Sequence, residues 1–172
     1  MTELSAPDSH LANAAEGWLL LGVPGDAQTE LNQLSSESRV HPRCLDLQWQ
    51  VFAAGRQWDA AFSVAQQSVE LWGQFVGGWI QRAYAARRCE AGGLAQAFEC
   101  LAPADTLFPT EPIIPYNLAC YSAQMGKLDD AWSWYEAAMQ RGRPEDLLAM
   151  ALRDEDLRPL WPRLAVSLGK IK

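Results

Sequence analysis

At 172 residues, with 49% apolar side chains and eight tryptophans, the chain is long and apolar enough to fold around a sizeable core. Its formal net charge of −7 argues against nucleic acid and against anionic membrane surfaces, both of which select a basic footprint. The longest apolar run, Trp18–Val23, is too short to cross a bilayer, and MTELSAPDSH lacks the basic and apolar regions of a signal peptide, so a reducing, cytoplasmic setting is expected.

Taken in chain order, apolar periodicity predicts helices over 10–22 and 26–38, 43–54 and 57–71, 76–90 and 94–103, and 112–125 and 128–141. Residues 1–9 and the last few carry no such pattern and are expected to be disordered. Pro103 is expected to shorten the helix it ends, and Pro109 and Pro112 separate two helical pairs. Pro144, at a first helical position with Glu145 and Asp146 behind it, starts a helix over 144–152. Pro159 and Pro162 then predict a turn and a short terminal helix from about 157, whose Leu157, Leu160, Trp161 and Leu164 would seal the last hairpin.

The clearest hairpin is Tyr116–Gly142. Gly126 sits where a left-handed cap is favoured, Asp129 and Asp130 open the second helix, and Ala131, Tyr135 and Ala138 recur on one face. Moving back 34 residues places Tyr84, Ala85, Gly92, Ala97, Leu101 and Ala104 under Leu118, Ala119, Gly126, Ala131, Tyr135 and Ala138. A further shift of 37 reaches Leu47, Gln48, Gly55, Ala60 and Val64. One of 30 places Gly25 under Gly55 and Leu34 under Val64, a poor copy because Glu30 replaces Ala60 and Gly17 replaces Leu47. Small residues at such positions let helices approach closely, and each hairpin leaves an apolar face that a neighbour must cover.

A repeat of this length and pattern resembles the tetratricopeptide repeat (TPR), with Pro144 and Pro109 near the expected exits and Gln67 and Trp72 departing from the pattern. The resemblance implies an all-α fold, an α-solenoid of stacked antiparallel hairpins with a right-handed superhelix and roughly eight to ten helices. It implies one domain over 1–172: a degenerate pair at 10–42, repeats at 43–74, 76–110 and 112–143, and capping helices at 144–172.

Catalytic and metal patterns are missing from the sequence. His10 and His41 have no Cys or His at ligand spacing, and no CxxC, GxSxG, HExxH, Walker or GxGxxG pattern occurs. The four cysteines, Cys44, Cys89, Cys100 and Cys120, lie far apart in helical segments and read as free thiols. The acidic run Asp154–Asp156 reads as solvated capping charge. No enzyme activity, cofactor or metal is expected.

In TPR proteins the first helix of each hairpin lines the concave surface. By that likeness, the binding residues here would be Leu45, Trp49 and Phe52, then Trp79 and Arg82 with Ala86 and Cys89, then Tyr116 and Asn117 with Ile113 and Cys120. Such a surface is aromatic and apolar. Only Arg82 and Asn117 resemble the carboxylate clamp of heat-shock-chaperone-binding TPRs. The function implied is a non-catalytic module that binds an apolar or aromatic segment of a partner protein. The other reading of these aromatics is that they pack against the chain's own helices. A small acidic chaperone for one client, and a self-associating subunit using Trp132 or Trp134 on the outer face, are the alternative functions.

Overall fold

The computed structural model describes residues 3–168. Among them are eleven α-helices, one 3-10 helix and no strand, the all-α class that the periodicity predicts. The chain divides into two compact units, Met1–Ala91 and Gly92–Lys172, each with an apolar core of its own.

In the first unit, α1 (Ala6–Leu20) and α2 (Pro24–Leu31) form a hairpin, and short α3 (Ser36–Arg39) leads to a second hairpin of α4 (Pro42–Ala54) and α5 (Trp58–Leu71). Helix α6 (Val76–Ala86) packs on α5. The core gathers Ala12, Ala15, Ala27, Leu31, Leu34, Cys44, Leu47 and Val51. Small side chains dominate the facing stripes, which is how helices come this close. Gly78 shows the limit: a Cβ there would stand 2.9 Å from the Ser68 hydroxyl on α5.

Both hairpins turn by one device. The N–H groups of Gly22 and Val23 donate to the carbonyls of Leu19 and Trp18, and those of Arg56 and Gln57 donate to Ala53 and Phe52. These are the paired bonds of a Schellman cap, which requires a left-handed residue just outside the helix. Gly22 meets that need at φ 74, and Arg56 meets it at φ 54.

The second unit contains α7 (Leu94–Leu107), α8 (Ile113–Gln124), α9 (Leu128–Arg141), α10 (Pro144–Ala151), the 3-10 helix Glu155–Leu160 and α11 (Trp161–Leu168). Helix α8 is buried along most of its length, packed by α7, α9 and the 3-10 helix. Its turn into α9 repeats the same cap, with Gly126 at φ 77. Leu157, Leu160 and Leu164 are buried against Leu147, Leu148 and Ala151, and the Trp161 indole donates to the Ala151 carbonyl at 2.9 Å. The expected seal on the last hairpin is therefore present. Arg141 on α9 makes a bidentate pair with Asp105 on α7, at 2.6 and 3.1 Å.

The second helices share one buried stripe. After the left-handed turn it falls on Ala27 and Leu31, with Leu34 just beyond α2, on Ala61, Ala65 and Ser68, and on Ala131, Tyr135 and Ala138; α7 presents Ala97, Leu101 and Ala104. This corrects the register expected for the first two hairpins. The turn residue is Arg56, not Gly55, so Ala61 and Ala65 are buried where Ala60 and Val64 were expected. In the first hairpin it is Gly22, not Gly25, and Ala27 fills the small position assigned to Glu30. Matching on glycine misplaces the turn when an arginine holds the left-handed site.

Other boundaries differ for identifiable reasons. Residues 1–9 and the last few are expected to be disordered, yet α1 begins at Ala6, capped by Ser5; residues 1–2 and 169–172 lie outside the described residues. The second predicted helix, 26–38, stops at Leu31 because the Ser35 side chain caps a separate α3. Helix α6 ends at Ala86 rather than 90, before the Gly92–Gly93 turn, in which Gly93 has φ 141. Pro103 does not end α7, which runs on to Leu107. Burial of Leu101 and Ala104 against α8 outweighs the one backbone bond the proline removes.

Candidate interaction surface

The first unit holds five of the residues expected to bind a partner. Leu45, on α4, is only 2% exposed and belongs to the packing beneath the surface. Trp49 and Phe52, further along α4, are half-buried, as are Trp79 and Arg82 on α6. The Arg82 guanidinium lies 4.6 Å over the Trp79 ring, and one of its N–H groups donates to the Gln66 side chain on α5 at 3.1 Å. The Trp79 indole donates to the Gly73 carbonyl at 2.9 Å. Trp79 and Arg82 thus form one fixed pair.

Trp49 belongs to a different cluster. Its ring meets Tyr84 of α6 edge-on at 5.9 Å, and Tyr84 also meets Trp58 at the start of α5 at 5.8 Å. The Arg88 guanidinium lies 3.5 Å over Tyr84 and 5.3 Å over Trp58. The indole N–H of Trp49 is buried and has no acceptor among the described residues. Tyr84, Trp58, Arg88 and Arg56 escape a reading that assigns Tyr84 to the repeat's packing position; the ring is 41% exposed. The sequence does hold a signal, since residues 47–58 and 71–89 carry four arginines and no Asp or Glu in an acidic chain.

Near the starts of α4 and α6 lies a cleft of about 380 Å³, walled by Pro42 and Asp46 on one side and Phe75, Gly78 and Gln81 on the other. Asp46 accepts hydrogen bonds from both Gln81 and Gln50, so its charge is already held.

In the second unit the expected residues Tyr116 and Asn117 separate. Tyr116 is 4% exposed, and its hydroxyl donates to Asp154 at 3.0 Å. Burial, with the nearby Cys120 and Asp154, pushes this phenol far above its usual range. Asn117 is half-buried beside it. The Cys120 thiol also points to Asp154, at 3.6 Å. Tyr116 and Cys120 therefore anchor the segment after α10 rather than face outward.

Trp132 and Trp134, one of which is expected on the outer face, are both half-buried. Trp134 meets Phe98 of α7 edge-on at 6.2 Å, while Trp132 leans on Tyr135 and carries Arg163 at 4.1 Å over its ring. Cys44 and Cys120 are buried, and burial pushes the Cys44 thiol up. Among the described residues no His, Cys, Asp and Glu cluster has the geometry of a metal site, and no helix is long and apolar enough to cross a membrane.

These features define an all-α protein of helical-repeat architecture. Its fold is similar to that of MamA, a TPR-containing protein whose crystal structure superposes with a TM-score of 0.70 over 81% of this chain and 80% of that one, at 13% identity. At that identity the likeness concerns fold alone. No protein family and no curated protein matches the chain by sequence.

Proposed function

We propose that the chain is a non-catalytic interaction module of the cytoplasm that holds an apolar or aromatic segment of a partner protein rather than nucleic acid or membrane. The binding face we assign in the first unit is Trp49, Phe52, Trp79 and Arg82, with Leu45 supporting it from beneath; in the second unit we assign Asn117, next to the anchored Tyr116, as a separate partner-binding position on α8. The observation that carries this reading is the row of half-buried aromatics on α4 and α6, including an indole N–H with no acceptor among the described residues. Aromatic and arginine side chains are the types that concentrate binding energy at interfaces. The fold shared with a TPR-containing protein supports it. We read 1–172 as one TPR-like domain, with a first pair at 10–42, repeats at 43–74, 76–110 and 112–143, and a cap at 144–172.

The test is affinity capture from the source cell with the unaltered chain and with the double variant Trp49→Ala/Arg82→Ala. Capture of a defined protein partner should be lost in the variant while far-ultraviolet circular dichroism stays helical. Unchanged capture with the helical signal intact would remove the assigned face.

A further inference from the structure

We propose that the corner of the first unit formed by Arg56, Arg88, Trp58 and Tyr84 is a docking site for an acidic, carboxylate-bearing protein segment. The proposal rests on the interaction-module reading in taking the partner to be a protein, and it adds the chemistry of that partner. Ala53, Ala54, Arg56, Trp58, Tyr84 and Arg88 line an open hollow of about 570 Å³ at the α4–α5 turn.

Three observations converge there. The Arg88 guanidinium lies 3.5 Å over the Tyr84 ring and 5.3 Å over Trp58, and of its N–H groups one goes to the Tyr84 carbonyl at 2.9 Å. A guanidinium has five N–H donors, so the remaining edge is available in a fixed orientation for a carboxylate. Neither Arg88 nor Arg56 forms an ion pair with a described residue, although the chain carries 21 acidic side chains. Asp59, the acid nearest to Arg56 in sequence, pairs with neither.

The third observation is the backbone of Arg56. At φ 54 it holds the left-handed site that Gly22 and Gly126 hold in the two equivalent turns. Glycine accepts that conformation freely and arginine does not. Strain kept at a surface turn, where the exposed Arg56 side chain pairs with no acid among the described residues, points to use of the side chain. The hollow is both cationic and aromatic within a chain of net charge −7, so complementarity selects an anionic segment with apolar side chains.

The probe is a fluorescein-labelled peptide, Glu-Glu-Phe-Glu-Glu-Phe, followed by fluorescence anisotropy at low and high salt. Controls are the same peptide with Gln for Glu and a labelled oligouridylate. Saturable binding to the acidic peptide is expected, weakening as salt rises, and falling about tenfold in each of Arg56→Gly and Arg88→Gln. Arg56→Gly should keep or raise the unfolding midpoint, which separates lost binding from lost fold. Absence of saturable binding, equal binding of the Gln peptide, indifference to both variants, or preference for the oligouridylate would each overturn the proposal. If the acidic peptide fails while partner capture still depends on Trp49 and Arg82, the docking site falls and the module stands.

Discussion

Arg56 stands where the backbone asks for glycine, and its energetic consequence can be measured without any partner. Relief of the left-handed strain in Arg56→Gly should raise stability by about 1 kcal/mol, less the extra freedom glycine gains when unfolded; a shift in the denaturant midpoint reads it. Tyr135 is a second case, since its hydroxyl is buried in the α8–α9 core with no acceptor among the described residues. Tyr135→Phe keeps the ring, so stability should stay level or rise by up to about 1 kcal/mol. Burial pushes the Tyr135 phenol up to about 12. A raised folded value means the wild-type contribution is intact below pH 10 and is lost as pH climbs through 12; the Phe variant should escape that loss in alkaline unfolding.

Asp8 is the opposite case. Its carboxylate, 6% exposed, accepts the Ser35 backbone N–H at 3.0 Å and the hydroxyls of Ser5, Ser35 and Ser38 at 2.8 Å each. The Ser35 N–H first, then the serine hydroxyls, hold it well below its usual 3.8. A depressed value contributes stability above pH 3.8 that is lost as pH falls toward the folded value. The gap in stability between wild type and Asp8→Asn should therefore be full at neutral pH and shrink below pH 3.8. A gap independent of pH would contradict this account of the α1–α3 junction. The sequence offers no periodic signal for such a latch, because its members lie in segments that read as tail and helix interior.

At the scale of elements, periodicity located the hairpins and packing decided their ends. The stripe Ala131, Tyr135, Ala138 and the turn at Gly126 are legible from residue spacing and stand as expected. The turn at Arg56 is not, because a left-handed arginine has no sequence signature. Pro103 misleads in the other direction, since a proline rule is local and the burial that overrides it comes from α8. The terminal cap was readable from Leu157, Leu160 and Leu164, and it should matter. Removing residues 155–172 deletes three buried leucines, a loss of about 5 kcal/mol or more by transfer of apolar side chains. Thermal unfolding of the shortened chain should show it; an unshifted transition would mean the 3-10 helix and α11 only decorate the surface.

For the whole molecule, the all-α repeat architecture is legible because small-residue stripes and caps recur along the chain, and they are written in residue types. The proposed binding face is less legible. Phase along a helix names Trp49, Phe52, Trp79 and Arg82 but also Leu45 and Tyr116, since it cannot tell a groove-facing side chain from one that a distant segment covers. Asp154, far along the chain, is what takes Tyr116 inward. The measurement that bears most directly on the central claim is hydrogen–deuterium exchange of the chain with its captured partner bound. Added protection should concentrate in 45–54 and 76–86, on α4 and α6. Protection confined to α9 and α11, or no change anywhere, would contradict it.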